Sequence, residues 1–382
     1  MRSVLILCPG GLEHGGGIGR QMGYFLSALP EAAETPVYRI VDTRGPWFLG
    51  AERWRIPLSA LYLLWAAAQL GWVGIFGGPA LAHVNITGRG STARKLMLTA
   101  VARAVGLPYL LHIHDYDYAA DIRARGPRMR RLVRSMFCAA TEIVVLGQEA
   151  ERTLRAELDL PPSVRTLVLP NAVPDPHPRP RPPSEAPERP AQVVFLGHLS
   201  ARKGVPELLE ALASPTVAAL SWRATIAGGG PVDEYRSRAA ALGLAERVAF
   251  PGWLDQPAAS ALCADADILV LPSHAEGLAM SVLEGMAHGL AVVTTPVGAH
   301  AEAIESEVSG LMTAPGDVGA LTAALARVIG DPAQRERLQA GARRRFLDRF
   351  DVRVYAQRLT RLHVGLLAGH RVAEGIETQA SS

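Results

Sequence analysis

The sequence predicts an α/β protein made of two doubly wound, Rossmann-like halves of similar size facing each other across a cleft. Short β-branched or leucine-rich runs alternate with helical stretches, a proline-rich segment interrupts the alternation once, and the alternation then restarts. A length of 382 residues suits two domains, and a hydrophobic content of 49% is enough to fill their cores. That apolar content excludes disorder and collagen-like repeats. Three widely spaced cysteines, Cys8, Cys138 and Cys263, exclude a disulfide-stapled miniprotein, form no CxxC pair and fit a reducing compartment.

In chain order, strands are expected at residues 4–8, 36–41, 80–84, 109–113 and 142–146. The first apolar run is too short for the core of a signal peptide and is read as a strand. Leu58–Phe76 has no charged residue across 19 positions and is long enough for a transmembrane helix, although Gly71, Gly74 and Gly77-Gly78-Pro79 argue that its helical part stops sooner. A helix is required here because residues 80–85 read as a buried parallel strand. It is either a covered core helix, an interfacial helix presenting Tyr62, Trp65 and Trp72, or a span. Nine of the 21 residues at 170–190 are proline, which dictates an extended linker. Strands resume at 192–196, 223–227, 247–250, 268–271 and 291–294. Helical spacing then returns with Leu321, Leu325, Val328, Leu338, Phe346 and Phe350, and the final dozen residues look frayed. A last helix at 352–367 has no following strand to cover, so it is expected to cross back onto the first domain. The division is therefore 1–172 with 352–382, a linker at 173–190, and 191–351.

The net charge of +3 conceals an asymmetry: residues 1–190 hold 22 Lys and Arg against 16 Asp and Glu, whereas the remainder holds 17 against 20. Arg123, Arg125, Arg128, Arg130, Arg131 and Arg134 crowd one segment. They form either a solvated helix face or a patch for anionic lipid or a phosphorylated acceptor. Nucleic acid is not expected, since no aromatics are interleaved with the arginines.

Several groups could carry chemistry. The glycine loop Gly15-Gly16-Gly17-Ile18-Gly19-Arg20 follows the first strand, where glycines admit a ligand to the backbone and a helix start offers N–H groups to a phosphate. It could be a phosphate or sugar contact, a plain turn, or a dinucleotide loop with Asp42 on a ribose. The last suffers because Met22 stands where that fingerprint needs a small residue. Two DxD triplets, Asp115-Tyr116-Asp117 and Asp265-Ala266-Asp267, are weak metal candidates, and no resident metal is expected. Glu276 and Glu284 flank a loop and helix start after strand 268–271. Both carboxylates can therefore reach the carboxyl end of the sheet and accept hydrogen bonds from vicinal hydroxyls. Arg202 and Lys203, in the loop beginning at Gly197, and the bare backbone of Gly228-Gly229-Gly230 add an anion site.

These motifs, GxLSxxKG, AGGGP, GWL and LPSxxEGLxxSVLEGMAxGxAVVTTxVG with Glu302 beyond, resemble the retaining nucleotide-sugar transferases of glycosyltransferase family 4, with the GT-B fold. The resemblance runs over nearly the whole chain. It implies that Glu276 binds donor-sugar hydroxyls, with Gly277 and Leu278 beside it, and that Glu284 binds the nucleotide ribose. Arg202 and Lys203 would neutralise the leaving diphosphate near Gly197 and Gly229, and Gly17 and Gly19 would let the first domain close over it. His114, at the end of the fourth strand, matches the family's histidine near the reacting sugar, whereas His112 is expected to be a packed strand residue. His198 stands where the family favours arginine, which shifts phosphate binding toward Arg202, and Ala279 replaces a common proline. The implied activity is metal-independent, retaining hexosyl transfer to a glycan or lipid-linked acceptor, needing no cofactor beyond the nucleotide-sugar co-substrate. The implied setting is the cytoplasm, at an anionic membrane face, in cell-surface polysaccharide synthesis. A nucleotide-sugar epimerase, a phosphorylase and an inactive sugar-binding scaffold are the alternatives.

Overall fold

Strand runs that are apolar throughout are buried on both faces and pair in parallel beneath covering helices. The computed structural model describes residues 2–14, 16–31, 35–45, 55–176 and 189–369. It divides into two units, Met1–Val145 with Glu151–Leu169 and Arg353–Ser382, and Leu146–Ala150 with Pro170–Val352. Most of the expected linker, 177–188, and the tail from 370 lie outside the described residues.

In the first unit, β1 (Ser3–Cys8), β2 (Val37–Asp42), β3 (Ala80–Ile86), β4 (Tyr109–Ile113), β5 (Glu142–Val145) and β6 (Thr166–Val168) form one parallel sheet in the order β2-β1-β3-β4-β5-β6. The expected strands appear within two residues of their predicted bounds, and β6 is additional. Every residue of β3 and β4 is buried, including His83, Asn85 and His112.

The expectation that Gly71 and Gly74 end the apolar helix early is overturned: it runs unbroken over Arg55–Phe76. Gly74 serves packing, since a Cβ there would lie 2.2 Å from Val105 Cγ2. Nor is it a covered core helix, because Ala66 and Leu70 are buried while Trp65 and Trp72 stand in solvent. The arginine run is largely tied down. Arg123 pairs with Glu157 at 2.6 Å and Arg125 with Asp121 at 2.7 Å. Arg130 donates to the Glu157 carbonyl, and Arg134 to those of Leu158 and Asp159.

A polar chain crosses this apolar unit. Tyr38 Oη meets His363 Nδ1 at 3.2 Å, His363 Nε2 meets His83 Nδ1 at 3.1 Å, and His83 Nε2 meets His112 Nδ1 at 3.2 Å. His363 comes from the final helix, Val352–Leu367, whose residues from Arg353 belong to this unit. Burial pushes all four imidazoles of the cluster down, His114 and His363 to about 3 and His83 and His112 well below the ordinary value near 6.5.

The second unit holds β7 (Ala191–Leu196), β8 (Trp222–Ala227), β9 (Val248–Gly252), β10 (Ile268–Leu271), β11 (Ala291–Thr294) and β12 (Leu311–Met312), parallel and in the order β12-β11-β10-β7-β8-β9. The strand order reverses between β7 and β10. In open parallel sheets such a switch point, at the carboxyl ends of the strands, is where ligands bind.

Candidate functional site

The loops leaving β7 and β10 bring together three of the charged residues singled out in the second half, Arg202, Lys203 and Glu276. The loop after β7 carries Arg202 and Lys203 in a short 3₁₀ turn, Ala201–Lys203, and the loop after β10 carries Glu276. Lys203 Nζ lies 2.5 Å and Arg202 Nη1 3.2 Å from Glu276 Oε1. Arg202 also ties the two loops through backbone, donating from Nη1 to the Ala275 carbonyl at 2.6 Å and accepting from the His274 N–H at 2.8 Å. Glu276 and Lys203 are nearly covered, so their attraction is little screened by solvent.

Glycine is obligatory at two points around this cluster. Gly204 has φ +71°, and a Cβ there would stand 2.1 Å from the Pro272 carbonyl oxygen. Gly298 has φ +54°, and its Cβ would collide with the carbonyl oxygens of Glu276 and Gly277. Gly204 thus lets the loop after β7 meet the loop after β10, and Gly298 lets the loop after β11 pack against that same loop. Gly229, by contrast, has open space where a side chain would project, and its carbonyl accepts from Leu199 N–H at 2.8 Å. Gly197 lies beside the Lys203 stem, its virtual Cβ 3.6 Å from Lys203 Cε.

The helix that follows is Met280–Ala287, with no side-chain cap at Ala279. Its entry is held instead by His300, whose Nε2 accepts from the Ala279 N–H at 3.2 Å. The ring proton must then sit on Nδ1, which faces the Thr295 carbonyl at 3.3 Å and Thr294 Oγ1 at 3.2 Å. Burial depresses His300 to about 4, so it stays a neutral strut. Leu278 is buried and its carbonyl accepts from Asn171 Nδ2 at 3.0 Å, while the Gly277 carbonyl accepts from Ala299 N–H at 2.7 Å. Glu284 falls in the second turn and is 8% exposed. Burial, helped by the Glu284 carboxylate, pushes the nearby Cys263 thiol up to about 12. Glu302 accepts from the N–H groups of Gln148 and Glu149, at 2.7 and 3.3 Å.

Three candidates belong to the first unit. His114 follows β4, its Nε2 2.8 Å from Asn85 Oδ1, and Asn85 Nδ2 donates to the Leu7 carbonyl at 3.3 Å. The amide is thereby oriented, so His114 carries its proton on Nε2 and leaves Nδ1 as an acceptor. His112 is packed against His114, ring centroids 4.0 Å apart. Gly17 faces open space, but Gly19 does not: its missing Cβ would press on the Leu12 and Gly11 carbonyl oxygens at 2.7 and 2.8 Å, so it packs the helix start Gly16–Ser27 onto its own loop.

Four of the remaining acidic candidates have structural partners. Asp42 Oδ1 accepts from the N–H groups of Gly10, Arg44 and Gly45, clamping a turn in place of a ribose. Asp115 holds Gly88 N–H and Asp117 N–H, and Asp117 caps a helix through Ala120 N–H. Asp267 holds Arg189 and the Gln192 N–H. Among the described residues no group of three or more His, Cys, Asp or Glu is placed to hold a metal ion. His300, Asn85 and Asn171 were invisible to motif reading, since each acts through a hydrogen bond to a distant segment.

Residues 178–345 match the family model described as Glycosyl transferases group 1. The second unit carries a glycosyltransferase group 1 domain. The chain is 32% identical over 183 residues to glycogen synthase of Mycobacterium tuberculosis, an alignment covering 48% of this chain and 44% of that enzyme, so it spans less than half the length of this relative. It is 29% identical over 373 residues to 2-deoxystreptamine N-acetyl-D-glucosaminyltransferase of Streptomyces fradiae, covering 89% of this chain and 85% of the relative. Among solved structures, sucrose-phosphate synthase of Thermosynechococcus elongatus superposes with a TM-score of 0.74 at 20% identity, covering 97% of this chain and all of that one. Anabaena HepE in complex with UDP and glucose superposes with a TM-score of 0.70 at 18% identity, over 94% and 98%. With these neighbours, the glycosyltransferase group 1 domain and its partner unit are the two Rossmann-like units of a GT-B fold.

Proposed function

We propose that this chain is a retaining hexosyltransferase that moves a sugar from a nucleotide diphosphate sugar to a hydroxyl of a glycan or lipid-linked acceptor. The observation that carries this reading is the Lys203, Glu276 and Arg202 cluster at the switch point of a glycosyltransferase group 1 domain. Two cations against one carboxylate leave net positive charge beside glycine backbone, which suits a diphosphate. The UDP held by HepE supports the same ligand class.

In the proposed reaction the donor's diphosphate takes over Arg202 and Lys203, and Glu276, released from them, accepts hydrogen bonds from the donor sugar. Glu284 holds the ribose. As the bond from sugar to phosphate breaks, negative charge grows on the departing oxygen, where Lys203 stabilises it more than in the ground state. The acceptor hydroxyl forms the new bond on the same face, its proton passing to the departing phosphate, and the anomeric configuration is kept. His114, Gly17 and Gly19 are assigned to sugar and diphosphate by the resemblance alone. The activity should survive EDTA, and its setting would be the cytoplasmic face of a membrane, in cell-surface polysaccharide synthesis.

Titration of UDP, GDP and their sugars, followed by thermal shift, tests the donor class. Stabilisation by one nucleotide family and acceptor-dependent product are expected. Turnover of the donor without an acceptor alcohol would favour an epimerase or phosphorylase, and binding without turnover across a broad acceptor panel would favour a scaffold.

A further inference from the structure

The Arg55–Phe76 helix exposes Leu61, Leu64, Trp65, Trp72, Ile75 and Phe76, each more than 60% accessible. At 100° per residue these six fall within a stripe about 120° wide, and Ala66 and Leu70 lie opposite, buried in the core of the first unit. No charge interrupts Leu58–Phe76. Large apolar side chains scattered singly on a surface need no explanation, but six in one uncharged stripe mark a surface that meets something apolar.

The neighbouring helices extend it. Gly90–Ala104, packed against this helix, exposes Met97, and Pro127–Cys138, packed against Gly90–Ala104, exposes Leu132. Leu132 stands beside Arg128 and Arg131, which are exposed and make no hydrogen bond or ion pair among the described residues. A second copy docked face to face would bring these cations toward their like. An anionic headgroup layer would receive them, and tryptophan suits the boundary between headgroups and acyl chains.

We propose that this face is a bilayer-docking surface: the helix lies in the plane of the membrane with Trp65 and Trp72 among the upper acyl chains, and Arg128 and Arg131 meet anionic headgroups. It cannot span, because its opposite face is committed to the core of the unit. Since four of the six clustered arginines are held by protein partners, the apolar stripe supplies most of the attachment, which is therefore salt-resistant. The inference goes beyond the transfer reaction and stands on the first unit alone.

Flotation of the full chain with mixed phosphatidylcholine and phosphatidylglycerol vesicles, at low and high salt, tests it. Co-flotation should persist at high salt, and the double variant Trp65→Gln, Trp72→Gln should lose it by roughly tenfold or more with unchanged melting. Arg128→Gln with Arg131→Gln should weaken binding at low salt only. Absence of flotation would overturn the proposal. So would attachment that salt abolishes and the tryptophan variant retains, or a dimer, without lipid binding, that the tryptophan variant dissociates. Nucleotide-sugar thermal shifts on the same variants separate a failure of this surface from a failure of the transfer reading.

Discussion

The two units place their polar residues oppositely. The first unit sinks neutral imidazoles into its core, His83, His112 and His363, with half-buried His114 packed against His112, where charge is costly. The second gathers formal charges, Lys203, Arg202 and Glu276, at the carboxyl edge of its sheet, where they balance each other. Similar sheets can therefore serve unlike ends. The buried imidazoles of the first remain uncharged, whereas in the proposed reaction Arg202 and Lys203 of the second exchange Glu276 for a diphosphate.

Acid is the strongest way to break this contrast. The unfolded chain takes up protons on these histidines below about pH 6.5, while the folded first unit refuses them until about pH 3 for His114 and His363. Stability is fully present above 6.5 and falls through that window by about 1.4 kcal/mol per pH unit for each histidine. Hydrogen exchange between pH 7 and 4.5 should show β3 and β4 losing protection before β7 and β10, and the reverse order would contradict the contrast.

A smaller effect tests the second unit. Lys203→Ala should lower turnover at saturating donor by about a hundredfold or more, with less change in donor affinity, as loss of one preorganised charge at a leaving group does. Equal kcat in variant and parent would remove Lys203 from the reaction.

The smallest of the three sharpens the roles within that unit. Glu284→Ala should weaken donor binding about tenfold to a hundredfold, the worth of a charged hydrogen bond, while leaving kcat nearly intact. Calorimetry on the folded variant decides it, and unchanged affinity would detach Glu284 from the ribose.

Much of this was legible in the sequence because it is local. Parallel strands buried on both faces write themselves as unbroken apolar runs, so 109–113, 268–271 and 291–294 could be placed to the residue. Thr166–Val168 and Leu311–Met312 are edge strands too short to show a pattern. The Glu276 and Lys203 motifs lie within single loops and were readable, but their meeting depends on β7 and β10 being neighbours. Gly74 misled because a glycine that admits Val105 is written like one that ends a helix. The pairing of His83 with His363, 280 residues apart, leaves no trace in any window.

The place of the final helix also carries a consequence for how the protein is made. Tyr355 and His363 pack against Phe25, and His363 also against Tyr38, so residues from both extremes of the chain complete one core. During vectorial synthesis β1 leaves the ribosome ahead of the helix Val352–Leu367 and waits for it, roughly half a minute at 5–20 residues per second. The second unit, nearly all of it contiguous from Pro170 to Val352, is already complete by then. The unit whose strands emerge earlier is completed later, and over that interval its apolar sheet lacks the side chains of Tyr355 and His363 that complete its core.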